Sequence, residues 1–311
     1  MTPTPNSFWR GVLPALTTPF AEDGSVDHAF YAHHCGLMFD AGCSGIVPLG
    51  SLGETATLDA DEKEAVIATA VAVAAARGRG AIVPGVAALS TAQAVRFAQR
   101  AHALGADGLM VLPPYVYSTD WREMKAHVAA VIAATPLPCL LYNNPIAYRT
   151  DFLPTQVAEL AAEHPNLVAI KESSADVRRV SALKALLGER LHLLVGVDDM
   201  IVEGIAAGAT GWVAGLVAAF PHESVRLFEL ARSGRLDEAR LLYDWFRPLL
   251  VMDTVPKFVQ LIKLVQQQVG LGHERVRAPR LVVTGAEREA ALATIAQALG
   301  QRPNQAPEAS R

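Results

Sequence analysis

The 311-residue chain has little cysteine, no basic excess and no long hydrophobic run, and each shortage removes a class of function. Its three cysteines, Cys35, Cys43 and Cys139, are odd in number and show no CxxC spacing. That argues against a disulfide framework and fits a reducing, cytoplasmic compartment. A formal net charge of −4 supplies no basic field for counterion release, so nucleic acid is not an expected partner. The longest nearly pure apolar stretch, Ala65 to Ala76, falls short of the roughly 20 residues that span a bilayer and reads as a buried helix. The opening segment, MTPTPNSFWR, has no apolar signal core or cleavage pattern, so no secretion is expected. Nine histidines are scattered, and the adjacent His33 and His34 point apart on a helix, so no metal site is expected. Asp198 and Asp199 lack a third nearby ligand and read as pocket-rim or helix-capping residues.

What is present is a large apolar fraction, 51% hydrophobic against 19% charged, which supports an extensive core. Short apolar runs begin near Gly11, Gly45, Ala81, Gly108, Cys139, Leu167, Leu191 and Gly211. Their spacing of roughly 20 to 37 residues suits repeated βα units with parallel strands. Asp59 with Glu62, and Ser90 with Gln93, have capping-box spacing, and Gly105 follows the second of these helices. Eight such units can form an open doubly wound sheet or a closed barrel. No GxGxxG follows the first strand, which favours an α/β fold of the (β/α)8 TIM-barrel type. The expected organisation is a lead-in over 1–10, the barrel over 11–232, a C-terminal helical extension over 233–299 and a disordered polar tail over 300–311. After Gly215 the helices are expected at Glu223 to Arg232, Asp237 to Leu250, Thr254 to Val269 and Ala286 to Leu299.

Three segments carry candidate chemistry. In LVAIKES, period-two geometry puts Leu167, Ala169 and Lys171 on one face, facing the barrel interior. Lys171 alone among six lysines ends an apolar β-like run, and barrel active sites lie at the C-terminal strand ends. Desolvation there favours the neutral amine, the form that attacks a carbonyl, although a strand-end lysine can also snorkel or pair with a carboxylate. Tyr142 ends CLLYNN and is either a proton shuttle or ordinary core. The turn Gly50-Ser51-Leu52-Gly53-Glu54 precedes the Asp59-capped helix; it is either a nest of amides for a carboxylate or a plain βα turn.

GSLGE, LPPY (Leu112 to Tyr115), YNNP (Tyr142 to Pro145) and IKES (Ile170 to Ser173) occur in that order. The ordered set, from about Gly11 through the C-terminal helices, resembles the dihydrodipicolinate synthase and N-acetylneuraminate lyase family. The resemblance implies that Lys171 forms a Schiff base with substrate, with no other cofactor and no metal. It implies that Tyr142 shuttles protons, that the Ser51-Leu52 amides hold the substrate carboxylate, and that Tyr115 stands near the proton relay of an adjoining subunit. Gly196 and Val213 match pocket-lining positions, and the family suggests a homotetramer.

Two departures matter. Synthases of this family typically read GTTGE, with a threonine hydroxyl in a relay linking two tyrosines, where Leu52 has none. They also carry a carboxylate-binding arginine two residues after the proline of YNxP, whereas Arg149 lies four residues after Pro145, leaving its contact with substrate open. GSLGE, YNNPIAYRTD, KESSADVRR and GVDD together most resemble the 1-pyrroline-4-hydroxy-2-carboxylate deaminases of hydroxyproline breakdown. The expected activity is conversion of that small cyclic imine to 2-oxoglutarate semialdehyde and ammonia. The rival readings are a 4-hydroxy-tetrahydrodipicolinate synthase or other pyruvate-dependent aldolase, and a 2-oxo acid sensor without turnover.

Overall fold

The computed structural model describes residues 7–114, 116 and 120–303. Nine short parallel strand segments, β1 (Gly11–Pro14), β2 (Gly45–Ile46), β3 (Ala81–Ile82), β4 (Gly85–Val86), β5 (Leu109–Val111), β6 (Cys139–Asn143), β7 (Leu167–Glu172), β8 (His192–Val195) and β9 (Gly211–Ala214), make eight staves. β3 and β4 are halves of one stave, divided at Val83-Pro84, where proline has no N–H to give the ladder. Its first half pairs with β2 and its second with β5. From β4 the sheet runs in order through β5, β6, β7, β8 and β9 to β1. The Ala15–Val47 bridge closes the ring, with Val47 N–H donating to Pro14 O at 2.9 Å and Leu16 N–H to Val47 O at 3.1 Å. The eight-stave barrel expected from the apolar periodicity is therefore formed, and all eight staves start on the anticipated positions or within one residue of them. Both faces of these strands are covered, as in parallel sheets generally, and their side chains are almost all buried.

The helix-start signals act as their chemistry requires. Asp59 accepts from Glu62 N–H at 2.9 Å while the Glu62 carboxylate accepts from Asp59 N–H at 3.0 Å, starting the helix Ala60–Arg77. Ser90 caps Thr91–Ala103 by accepting from Gln93 N–H. The stretch Ala65 to Ala76 differs from its sequence reading: only one face, Val66, Ile67, Ala70 and Ala74, is buried. Its other alanines are exposed or half-exposed, because a methyl group offers little surface to bury and alanine is favoured in a helix for its propensity alone.

Beyond the barrel-layer helix Pro221–Arg232, the helices Leu236–Leu250, Phe258–Gln268 and Gly285–Gly300 pack together. Trp245 donates to Ala298 O at 2.8 Å, and Phe220, Trp245 and Phe246 form one aromatic cluster. The third of the four expected helices begins at Phe258 rather than Thr254. Pro256 disfavours helical backbone at Val255, and the preceding residues form the turn Val251–Asp253 instead. Gly300 ends the last helix, and the tail from 304 onward lies outside the described residues. All three cysteines are free and buried, and burial pushes each thiol up to about 12. No helix among the described residues is long and apolar enough to cross a membrane.

Candidate active site

Lys171 and Tyr142 are register partners on β7 and β6, so the pleat sends both side chains to the same face at the same height. Both are buried, and the Lys171 ammonium nitrogen stands 4.4 Å from the centroid of the Tyr142 ring. Asn144 donates to the phenol oxygen of Tyr142 at 2.9 Å, leaving its O–H hydrogen free to be given elsewhere. The lysine is packed from the next stave by Gly196. A Cβ there would lie 2.6 Å from Lys171 Cε and 2.7 Å from Cγ, and would overlap Ser173 Oγ. Glycine is required at 196 for the lysine to keep its position. Glu172, one residue on, turns to the helix layer, where it accepts from Asn143 and from Ser174 N–H.

The turn after β2 is held in a form that few residues adopt, with Leu49 and Glu54 both left-handed at φ 61° and 53°. Thr18 donates to Gly53 O at 2.7 Å, and a Cβ on Gly53 would meet Leu16 O and Leu49 N at 3.0 Å. Among the described residues the N–H groups of Ser51 and Leu52 donate to no protein acceptor, so the turn offers two donors to an anion. Ser51 Oγ shares a short hydrogen bond with the Tyr148 hydroxyl, and the Tyr148 ring meets Tyr142 edge-on at 5.8 Å. The turn's hydroxyl is thus supplied by Ser51, while Leu52 is buried with its Cδ2 toward Gly215.

Below the turn, Glu54 is fully buried. It accepts from Lys263 at 2.6 Å and from Arg277 N–H at 3.1 Å, with Arg280 at 3.7 Å. Lys263, also buried, belongs to the extension helix Phe258–Gln268; burial depresses its amine to about 8. The helical extension therefore reaches the glycine turn through a desolvated ion pair.

Asp198, read from the sequence as a pocket-rim or helix-capping residue, lies in the interior rather than on the rim and caps the turn Leu216–Ala218. It follows β8 and Gly196 directly, so it enters the barrel mouth and is fully buried. It accepts from Leu216 N–H at 2.8 Å and Gly215 N–H at 3.1 Å. Burial pushes its carboxyl up to about 6 against those bonds and the Lys171 charge. Asp253, from the turn Val251–Asp253, packs against Gly215, and burial and the neighbouring Asp198 hold its carboxyl well above the usual carboxylate range. His34, expected on a helix face, is likewise buried, with Nε2 2.7 Å from Ala218 O.

The remaining expected residues separate. Val213 is buried on β9, opposite Leu13. Arg149 is exposed at the left-handed end of the short helix Pro145–Tyr148; its N–H donates to Pro145 O at 3.0 Å, and its guanidinium has no hydrogen bond or ion pair among the described residues. Tyr115 lies outside the described residues. No group of three potential metal ligands occurs among the described residues.

A family model described as the dihydrodipicolinate synthetase family matches residues 8–298. The chain belongs to this family. Two relatives are named 4-hydroxy-tetrahydrodipicolinate synthase. That of Pelobacter propionicus is 32% identical, over 94% of this chain and 99% of its own length. That of Xanthomonas axonopodis pv. citri is 35% identical, over 93% and 94%. The solved dihydrodipicolinate synthase from Aquifex aeolicus superposes with a TM-score of 0.87 at 28% identity, covering 94% of this chain and 97% of that one. Enzymes of this family are class I lyases that hold substrate as a lysine Schiff base and need no external cofactor.

Within that family framework, Tyr148, Asp253 and the Glu54–Lys263 pair are the residues sequence reasoning passed over. Lys263 carried a signal, being a lone cation in the apolar run FVQLIKLV. Asp253 carried none, since its place depends on how the extension folds back.

Proposed function

We propose that Lys171 captures C2 of a small 2-oxo acid or cyclic imine, and that the substrate of this chain is 1-pyrroline-4-hydroxy-2-carboxylate. The Lys171–Tyr142 register pair carries the Schiff-base part of this reading. A buried amine beside a phenol that can donate its proton is equipped to form, protonate and release a carbinolamine. The Ser51 and Leu52 amides would hold the substrate carboxylate, with Gly196 and Val213 shaping the pocket.

In this mechanism Lys171 Nζ adds to C2 and the ring opens by transimination, leaving the former ring nitrogen as a C5 amine. The iminium acidifies C3, whose proton leaves to give an enamine. The C4 hydroxyl departs, the double bonds shift to a C5 imine, and water releases ammonia. Hydrolysis of the lysine imine frees 2-oxoglutarate semialdehyde. Tyr142 passes protons to and from the C2 substituents.

Two observations favour this reaction over condensation. The side chain two residues after Pro145 is Ala147, and Arg149 is exposed and unpaired among the described residues, so no arginine is seen poised for a second acidic substrate. Leu52 also puts an apolar group where the synthases have a hydroxyl, although Ser51 still gives the turn a hydroxyl contact with Tyr148. The names of the relatives favour the other reading, condensation of pyruvate with an aldehyde through the same imine. Side-by-side kcat/KM values decide: ammonia release from the pyrroline should far exceed condensation of pyruvate with aspartate semialdehyde. The opposite order would overturn the substrate assignment and leave the Schiff base standing, while no turnover of either would favour a sensor. We further propose a cytoplasmic homotetramer in which Tyr115 serves a neighbouring subunit; sedimentation giving a monomer would contradict it.

A further inference from the structure

The catalytic steps above leave one group at the barrel mouth unused. Asp253 is brought there by the turn between the helices Leu236–Leu250 and Phe258–Gln268. Its Oδ1 lies so close to Gly215 that a Cβ at that position would overlap it, and the same Cβ would stand 3.1 Å from Leu52 Cδ2. Asp253 therefore shares a small volume with the turn that offers amides to the substrate. Asp198 grips the N–H of that same glycine at 3.1 Å. Two carboxyls thus converge on Gly215, and both feel the charge of Lys171. Asp198 has its amide donors, whereas the Asp253 carboxyl has no hydrogen bond or ion pair among the described residues.

A second observation points to a polar ligand beside Lys171. Among the described residues Ser173 Oγ is buried without a hydrogen-bond partner, and a Cβ on Gly196 would overlap it while meeting Lys171 Cε at 2.6 Å. An orphaned buried hydroxyl carries an uncompensated desolvation cost, which is removed when a substrate hydroxyl or amine completes it.

We propose that Asp253, paired with Asp198 across Gly215, is the general acid that protonates the hydroxyl leaving from C4 of the Lys171-bound substrate. This deepens the deaminase reading and rests on it. Two carboxyls at one glycine do not both ionise easily, so the pair retains a proton. In the step, the enamine nitrogen lone pair forms the C2 iminium and the C2–C3 pair shifts to C3–C4. The C4–O bond breaks with its electrons on oxygen, and that oxygen takes the Asp253 proton and leaves as water. The iminium charge created at Lys171 stabilises the carboxylate left behind. Asp253 recovers a proton from C5 as the double bonds move toward the C5 imine.

The test compares wild type with Asp253→Asn, a change that keeps shape and removes the acid. With pyruvate, the variant should still give a borohydride-stable Lys171 adduct and exchange its methyl protons into deuterium oxide. Ammonia release from 1-pyrroline-4-hydroxy-2-carboxylate should fall by about 100-fold or more, with part of it restored in Asp253→Glu. Release within about threefold of wild type overturns the role of Asp253 alone. A parallel loss of exchange and adduct overturns it too, by assigning Asp253 to support of the fold. A wild type that forms the adduct but releases no ammonia removes this role together with the deaminase reading.

Discussion

Gly196→Ala tests how tightly the barrel holds its nucleophile. The added methyl carbon would stand 2.6 Å from Lys171 Cε and 2.7 Å from Cγ, where ordinary contacts begin at 3.4 Å. Strand β8 cannot yield, because Gly196 N–H is bonded to Glu172 O at 2.9 Å and the β7–β8 register runs up to Val195. The lysine must therefore retreat by roughly 0.8 Å at Cε, the difference between 3.4 and 2.6 Å. A misplacement of about 1 Å at a reacting group costs on the order of 100-fold in rate. Overpacking of this kind destabilises by about 1–3 kcal/mol, which a domain of this size can tolerate. Turnover should fall about 100-fold while thermal unfolding shows a folded protein. Gly300→Ala is the control, since nothing lies within 4 Å of a Cβ there, and it should be neutral in both assays. Turnover of Gly196→Ala within about threefold of wild type would refute the packing on which the position of Lys171 depends.

Tyr142→Phe should lower kcat by about 100-fold or more with little change in KM, because only the phenolic proton is lost; an unchanged kcat in steady-state assays would make Tyr142 ordinary core. Lys263→Met leaves Glu54 buried without its main partner, so denaturant unfolding should show a loss of about 3–5 kcal/mol, with KM raised as the Ser51-Leu52 turn shifts and Lys263→Arg milder. Equal stability of wild type and Lys263→Met would show that the pair is dispensable. Burial depresses the His34 imidazole from 6.5 to about 4. The unfolded chain therefore takes up this proton first as pH falls, and stability present above pH 6.5 is lost down to about pH 4. The loss amounts to roughly 3 kcal/mol, and His34→Asn should flatten that part of the pH–stability curve.

The barrel was legible because parallel strands buried on both faces must be short and apolar and must recur at the length of a βα unit. The runs at Gly11, Cys139, Leu167 and Gly211 obey that rule without help from distant residues. Lys171 and Tyr142 were legible for the same reason: a polar residue ending such a run has one direction to face. What stayed hidden depends on contacts between segments far apart in sequence. Asp198 reads as a pocket-rim or helix-capping residue because no third ligand stands near it in sequence. Its burial comes from Gly215 and Leu216, about a stave away, and from an extension that returns over the mouth. Glu54 reads only as the end of a glycine-rich βα turn, because the partner that makes it interior, Lys263, lies 209 residues on. The helix expected from Thr254 starts only at Phe258, because Pro256 restricts the residue before it.

The Schiff base itself can be tested by one measurement. The intact protein is incubated with pyruvate and borohydride, digested, and each of its six lysines is mapped by mass spectrometry. Lys263 is the informative competitor, a second buried lysine whose amine is depressed to about 8 yet is occupied by Glu54. A single reduced adduct on Lys171, absent from Lys171→Ala, is the predicted result. An adduct on Lys263 or another lysine, or none at all, would contradict the account.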